Sequence, residues 1–119
     1  MTTMTPEIRD RLRSDVTAAR RARRAGDHQR GWRLLEDAHV LSQPWAWWHV
    51  RVHGAMFAAG AAERDAREVW GQLGRSLVAA PGSFTRRYPL GNTGRARVPA
   101  TQPMPIRSDL AALLSEAGR

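Results

Sequence analysis

The stretch LLEDAHVLSQPWAWWHVRVHGAM, residues 34–56, joins two apolar segments of helical spacing across a single break. The break is Gln43-Pro44, because proline lacks a backbone N–H and disfavours the helical conformation in the residue before it. One helix ends at this dipeptide and Pro44 starts the next. The stretch therefore predicts two consecutive helices that fold back on each other as antiparallel neighbours.

Apolar spacing and turn residues predict three further helices around this hairpin. The five predicted helices span residues 7–25, 28–42, 44–59, 63–80 and 108–117. Pro81-Gly82 is expected to end the fourth helix, whose inward side includes Trp70, Leu73 and Leu77. Residues 81–107 hold five of the seven prolines and three of the ten glycines. This composition excludes long helices there and predicts an extended, ordered wrap.

An internal repeat suggests how the helices are arranged. Ala25-Gly26 and Ala59-Gly60 are 34 residues apart, and each pair is expected to close one helix and open another. That period and layout are typical of tetratricopeptide (TPR) repeats. The predicted fold is therefore all-α: two antiparallel TPR-like helical hairpins, a Pro/Gly-rich C-terminal wrap, and a short final helix capped by Ser108. We expect one domain over residues 1–119, with the four-helix core at 5–80.

Three of the four histidines are placed to face one another across the predicted hairpin. His49 and His53 are four residues apart, so their side chains share one face of a helix. His39 and His49 lie at nearly equal distances from the break, which puts them at the same height in an antiparallel hairpin. Glu36, one turn before His39, comes level with His53. The sequence predicts a divalent-metal site at these four residues, with Glu36 as a ligand or as a carboxylate that orients an imidazole.

The donor set bears on which metal would bind. Three imidazole nitrogens and one carboxylate oxygen suit Zn²⁺ best, with copper or nickel as alternatives. The same residues have a second interpretation, a buried polar network in which the histidines hydrogen-bond to Glu36, Gln43 or one another. A metal ion would differ from such a network by giving all three imidazoles a partner at once.

Composition limits the classes of partner. The chain of 119 residues has a formal net charge of +8, with 19 arginines, no lysine and no cysteine. It has no apolar run long enough to cross a bilayer and no apolar N-terminal stretch, so we expect a cytoplasmic protein without a membrane segment. Arginines cluster at 20–24, 86–87 and 95–97. Nucleic-acid binding is disfavoured because the basic helix lacks interleaved aromatic residues, whereas an acidic protein partner fits these arginine faces.

The chain resembles a small bacterial family, domain of unknown function 3703, from Leu34 to Ile106. The resemblance rests on HVLSQ at 39–43, HVRVH at 49–53, AAPGS at 79–83, GNTGR at 91–95 and PMPI at 103–106. It implies a small, all-helical cytoplasmic protein encoded among heavy-metal resistance genes. The GNTGR segment is expected to form a tight turn in which Gly and Asn adopt positive φ, and Arg95 is expected to tether the wrap to the helices.

Two functions from different classes follow from these features. The first is a small cytoplasmic protein that binds a divalent transition metal through the histidines and takes part in metal handling or resistance. The second is a TPR-like adaptor that docks an acidic protein partner, in which the histidines form a structural polar network. An enzymatic role is disfavoured, since the chain contains neither a Ser-His-Asp set nor a cofactor-binding glycine motif, and we assign no catalytic residue.

Overall fold

Five α-helices make up most of the described part of the chain. The computed structural model describes residues 3–84, 89–98 and 102–118, with the backbone alone at 76, 78–82 and 84. The helices are α1 (Pro6–Arg24), α2 (His28–Ser42), α3 (Ala46–Ala62), α4 (Ala66–Phe84) and α5 (Ser108–Ala117). Helix α1 packs on α2, α3 packs on α4, and α2 also packs on α3, while α5 lies against α1 and α2. The predicted all-α fold of helical hairpins is therefore confirmed.

Side-chain caps begin both helices of the first hairpin. The side-chain oxygens of Thr5 and Asp27 accept hydrogen bonds from backbone N–H groups three residues later, at 3.2 and 3.1 Å. These bonds satisfy donors that a helix N-terminus otherwise leaves unpaired. Gly26 has a φ of +85° and forms the turn between the two helices. Such a conformation costs glycine little because it has no Cβ.

The turn of the second hairpin differs from the prediction. Helix α3 begins at Ala46 and continues through Gly60 to Ala62, so Gly60 does not end it. The turn lies instead at Arg64, which has a positive φ of 56°, and the carboxylate of Asp65 accepts from the Glu68 N–H at 3.2 Å. Gly60 has a packing role, since an added Cβ would lie 2.9 Å from the Cβ of Glu68. The glycine lets α3 and α4 approach closely next to the turn that joins them.

The predicted end of the fourth helix is wrong, because α4 runs through Pro81-Gly82 to Phe84. Proline removes one helical hydrogen bond near the end of a helix, and tertiary contacts offset that loss. The additional turn carries Ser83 into the core, where its hydroxyl donates to the Gln43 carbonyl at 2.7 Å. The start of α5 also differs slightly: its N-cap residue is Arg107 rather than Ser108, without a side-chain capping bond.

Helix α4 presents its polar side to the protein interior. Trp70 and Leu77, predicted to point inward, are 71% and 76% exposed, and Leu73 is exposed as well. Glu68 and Gln72 are instead completely buried. The apolar core lies mainly among the other helices, and its fully buried side chains include Ile8, Leu12, Leu41, Val52 and Met56. Within the described residues, no helix has both the length and the apolar character required to cross a membrane.

Candidate metal centre

His39, His49 and His53 meet in the interior of the bundle, as the sequence predicts. His39 lies near the end of α2, while His49 and His53 lie one turn apart on α3. Their relative exposures are only 3%, 6% and 3%. Among the described residues, they form a group whose ligand atoms all lie within 4.8 Å of one another, which is close enough to hold one metal ion.

The three Nε2 atoms form a nearly equilateral triangle. The distance from His39 to His53 is 3.1 Å, and the two distances from His49 to His39 and to His53 are 3.2 Å. An ion at the usual Zn²⁺–N distance of about 2.0–2.1 Å would lie about 0.9 Å from the plane of the triangle, with N–Zn–N angles of about 100°. The triangle therefore fits one face of a tetrahedral coordination sphere.

The opposite nitrogen of each ring has a hydrogen-bond partner that determines where the proton lies. For His39, Nδ1 lies 2.6 Å from the backbone carbonyl oxygen of Asn92. A carbonyl oxygen only accepts, so Nδ1 carries the proton and donates it. In the neutral ring, Nε2 of His39 is then left with a lone pair that points to the centre of the triangle.

Gln72 determines the proton position on His53. Its side-chain Oε1 lies 2.6 Å from Nδ1 of His53. The amide orientation follows from its other end, where Nε2 donates to Glu68 Oε2 at 3.0 Å and to the Gly94 carbonyl at 2.7 Å. Since Oε1 can only accept, Nδ1 of His53 donates to it and Nε2 keeps its lone pair.

Ser83 has the same effect on His49. The serine hydroxyl lies 2.8 Å from Nδ1 of His49 and donates its own proton to the Gln43 carbonyl. The hydroxyl oxygen therefore accepts from Nδ1–H of His49. All three outward nitrogens are thus donors, and three lone pairs converge on one point. Metal-binding histidines typically have this second set of hydrogen bonds, which fix the tautomer and the ring orientation.

Burial favours the neutral forms of His39 and His53. Burial lowers the pKa of His39 well below its usual value, and the neighbouring His53 and His49 lower it further. Burial also lowers the pKa of His53, against the hydrogen bond with Gln72, which raises it. Protonation is therefore an unfavourable way to relieve the repulsion among three converging lone pairs. A cation that accepts all three lone pairs would relieve it, and neutral imidazole is the form of histidine that binds metal.

Glu36, predicted as a ligand or as an orienting carboxylate, lies outside this group of three histidines. Its carboxylate instead faces Arg95, with Oε1 3.4 Å from Nη1 of the guanidinium group. Arg95 stacks over the Trp32 ring at 3.8 Å from the centroid and also pairs with Glu68 at 2.6 Å. Burial raises the pKa of Glu36, while Arg95 partly lowers it again. The guanidinium group accounts for the position of this carboxylate.

The GNTGR segment forms part of the site, in addition to the turn and the tether that the sequence predicts. Gly91 and Gly94 have φ values of +80° and +82°, and Arg95 links the segment to α4 through Glu68. The positive φ predicted for Asn92 is wrong, because only the glycines of this turn adopt it. The sequence did not predict the role of Asn92, whose carbonyl oxygen orients His39. It also missed Gln72 and Ser83. The GNTGR motif was the available signal for Asn92, whereas the contacts of the other two depend on tertiary structure.

Comparison with known proteins identifies the family of this chain. A search of curated proteins and a search of solved structures each find no match. A family model matches residues 6–114, which include all three histidines and the GNTGR segment, and its description is protein of unknown function, DUF3703. The matched region covers nearly the whole chain, and the protein is therefore a member of the DUF3703 family.

Proposed function

We propose that this protein binds one divalent transition-metal ion through His39, His49 and His53. The observation that carries the proposal is the convergence of three Nε2 atoms at 3.1–3.2 Å while each Nδ1 donates outward. A purely structural network would place a proton between at least one pair of these nitrogens. Here each neutral ring carries its single proton on Nδ1, which donates it outward to an oxygen acceptor.

The shape of the triangle favours zinc. Cu²⁺ and Ni²⁺ often require a square-planar site. In such a site, two of the three nitrogens would lie on opposite sides of the ion, about 4 Å apart. The three separations here are nearly equal, which suits the tetrahedral geometry of Zn²⁺. The ligand side chains are buried and their outward nitrogens are held in place, so the site suits retention and transfer of an ion. We place this role in cytoplasmic metal handling or resistance.

Isothermal titration of metal-free, tag-free protein with Zn²⁺ tests this proposal. We expect one equivalent to bind, and we expect His39→Ala, His49→Ala and His53→Ala each to weaken binding by at least about 100-fold, because each removes one of three ligands. His28→Ala is the matched control, since His28 lies on the surface with its side chain 50% exposed. Parallel titrations with Cu²⁺ and Ni²⁺ establish the metal series, in which the tetrahedral geometry should favour Zn²⁺ over Ni²⁺.

A variant can lose metal binding because a ligand is gone or because the protein no longer folds. Circular dichroism of each variant establishes that the helices are intact before binding is measured. A folded wild-type protein that takes up no metal would overturn the proposal and make the histidines a structural network. Equal weakening by His28→Ala would also contradict it, because uptake would then reflect general histidine content.

A groove between α1 and α3 supports a second candidate, the docking of an acidic protein segment. This groove has a volume of about 430 Å³, and Arg13, Arg20 and Arg51 line it together with Trp48. The Arg51 guanidinium lies 4.6 Å from the centroid of the Trp48 ring, which limits its motion. Its lining among the described residues contains no carboxylate. A cationic groove with an aromatic floor suits an acidic peptide.

A labelled peptide rich in glutamate provides the test of this second candidate. We expect binding that weakens as salt increases, and a loss of at least about tenfold in the Arg13→Ala/Arg20→Ala/Arg51→Ala variant. The matched control removes three other exposed arginines, in the variant Arg9→Ala/Arg33→Ala/Arg67→Ala, and so has the same net charge. Equal losses in the two variants would show that the peptide responds only to overall charge, and the groove would then have no specific role.

A further inference from the structure

The outer side of α4 carries exposed apolar side chains at a regular spacing. Trp70, Leu73 and Leu77 are 71%, 45% and 76% exposed. With the exposed Ala66 they follow one another at intervals of four, three and four residues. This is the spacing of a coiled-coil seam, which packs against another helix. Single exposed apolar residues need no explanation, whereas a continuous row of them is typical of an interaction surface.

The row is complementary to a second copy of itself. In an antiparallel pair of α4 helices centred between positions 71 and 72, Trp70 lies level with Leu73 of the second copy, since each is one and a half residues from the centre. Ala66 lies level with Leu77 of the second copy in the same way, and the small alanine leaves room for the leucine. A two-fold axis makes both sets of contacts identical, as a symmetric dimer requires.

The distribution of charge also favours a second copy at this row. The net charge of +8 makes two copies repel each other unless their contact keeps the arginines apart. The stretch 66–77 contains three charged residues. Glu68 is buried and pairs with Arg95, while the Arg75 guanidinium donates to backbone carbonyl oxygens of the wrap. Arg67 is exposed, but in the antiparallel pair its two copies lie about 14 Å apart along the helix axes, beyond the screening length of about 8 Å at physiological salt.

The exposed apolar area suits a weak dimer. The exposed parts of Trp70, Leu73 and Leu77 amount to roughly 400 Å² on each copy, and a two-fold contact would bury roughly 800 Å² of apolar surface in total. Interfaces that bury less than about 1,200 Å² are typical of weak, reversible complexes. We therefore expect a dissociation constant of about 10–100 µM.

We infer that two copies of this chain form a reversible dimer through antiparallel contact of their α4 helices, with Ala66, Trp70, Leu73 and Leu77 at the interface. The contact explains why α4 presents its apolar side outward. Glu68 and Gln72, on the other side of the helix, stay buried in each copy. The inference is independent of metal binding, because none of the three histidines takes part in the contact.

Sedimentation velocity of the full, metal-free chain tests for the dimer over a concentration range of about 5–500 µM, which brackets the expected dissociation constant. We expect the mass to rise with concentration from the 13.3 kDa of one chain toward twice that value. Trp70→Gln/Leu77→Gln should weaken the dimer by at least about 30-fold, because a two-fold contact loses each side chain twice. Trp47→Gln is the matched control, since Trp47 is 70% exposed but lies on α3, and it should stay within about threefold of the wild type.

A second set of variants tests the antiparallel arrangement. Leu77→Arg should weaken the dimer, and Ala66→Glu/Leu77→Arg should recover about tenfold in affinity, because each introduced carboxylate then faces an introduced guanidinium group of the second copy. The two positions are too far apart to pair within one helix, at about 16 Å. Ala61→Glu/Leu77→Arg has the same net charge, with its carboxylate on the exposed side of α3, and should not recover.

Three results would contradict the inference. A wild-type chain that stays monomeric up to about 500 µM would overturn the dimer. Equal weakening by Trp47→Gln and by the α4 variant would show general apolar association rather than a contact through α4. Equal recovery by the two glutamate variants would reflect net charge alone and would overturn the antiparallel arrangement. The substituted side chains are exposed, so the variants are expected to fold, and circular dichroism checks that they do.

Discussion

Replacing Glu68 with alanine should lower the free energy of unfolding of the metal-free protein by about 3–5 kcal/mol, the usual cost of removing one partner of a buried ion pair. Glu68 is completely buried on α4. Its Oε1 accepts from Nε of Arg95 at 2.6 Å and from the Ala96 N–H at 3.2 Å. Its Oε2 accepts from the Gln72 amide at 3.0 Å. Alanine would leave these three donors without their acceptor in the interior.

Urea denaturation followed by circular dichroism measures this effect. Asp10→Ala is the matched control, because it removes an exposed carboxylate from α1 and should change stability by no more than about 0.5 kcal/mol. Glu68→Gln keeps the shape but loses the charge, and it should fall between the wild type and Glu68→Ala. A loss below about 1 kcal/mol in Glu68→Ala would mean that water reaches these donors, contrary to the described packing.

The effect of Glu68 should extend to the histidines. The carboxylate orients the Gln72 amide, and that amide accepts from His53. The segment after Gly94 is also joined to α4 through Arg95 and Glu68. A single acidic residue therefore connects the stability of the second hairpin to the geometry of the candidate metal centre. The carboxylate contributes through hydrogen bonds and lies outside the ligand group.

Local sequence rules were enough to predict the convergence of the histidines. Proline at position 44 separates the two helices, and the four-residue spacing of His49 and His53 places both rings on one face. Antiparallel packing then brings His39 level with His49 along the helix axes. These rules depend on residues close together in the chain, and the helix boundaries that they require were accurate to about two residues here.

The orientation of α4 could not be predicted in the same way. Helical periodicity divides its residues into an apolar side with Trp70 and Leu77 and a polar side with Glu68 and Gln72. Periodicity alone assigns the apolar side to the core. The structure buries the polar side, because its partners His53, Gly94 and Arg95 come from other parts of the chain. Partners so distant in sequence leave no periodic signal.

The position of Glu36 depends on the same kind of distant contact. Helical spacing placed Glu36 one turn before His39, but it gave no information about Arg95, which is 59 residues later in the chain. A carboxylate near an arginine gains more from that charge than from neutral imidazoles. The sequence could therefore identify the three converging histidines but not the hydrogen-bond partners that orient them.

Gly94→Ala should have the second large effect, this time on metal affinity. The φ of Gly94 is +82°, a conformation that costs other residues about 1–2 kcal/mol. The new Cβ would lie 2.5–2.8 Å from three atoms of the His39 ring, too close for any contact. Either the His39 ring or the GNTGR segment must therefore move. In both cases the hydrogen bond from Nδ1 of His39 to the Asn92 carbonyl is disturbed along with the Nε2 triangle.

We expect Gly94→Ala to weaken Zn²⁺ binding by about 100-fold, at the upper end of what is typical when the groups that orient a ligand are disturbed. Gly74→Ala is the matched control, because a Cβ there meets nothing within 4 Å and alanine favours the helix by about 0.5–1 kcal/mol. Titration calorimetry with Zn²⁺ measures the affinity of the wild type and of both variants. If Gly94→Ala bound zinc within about threefold of the wild type, the segment would not lie against His39, and its role in shaping the metal centre would have to be abandoned. A selective loss would instead show that one glycine, 55 residues away in the chain, determines whether His39 can act as a ligand.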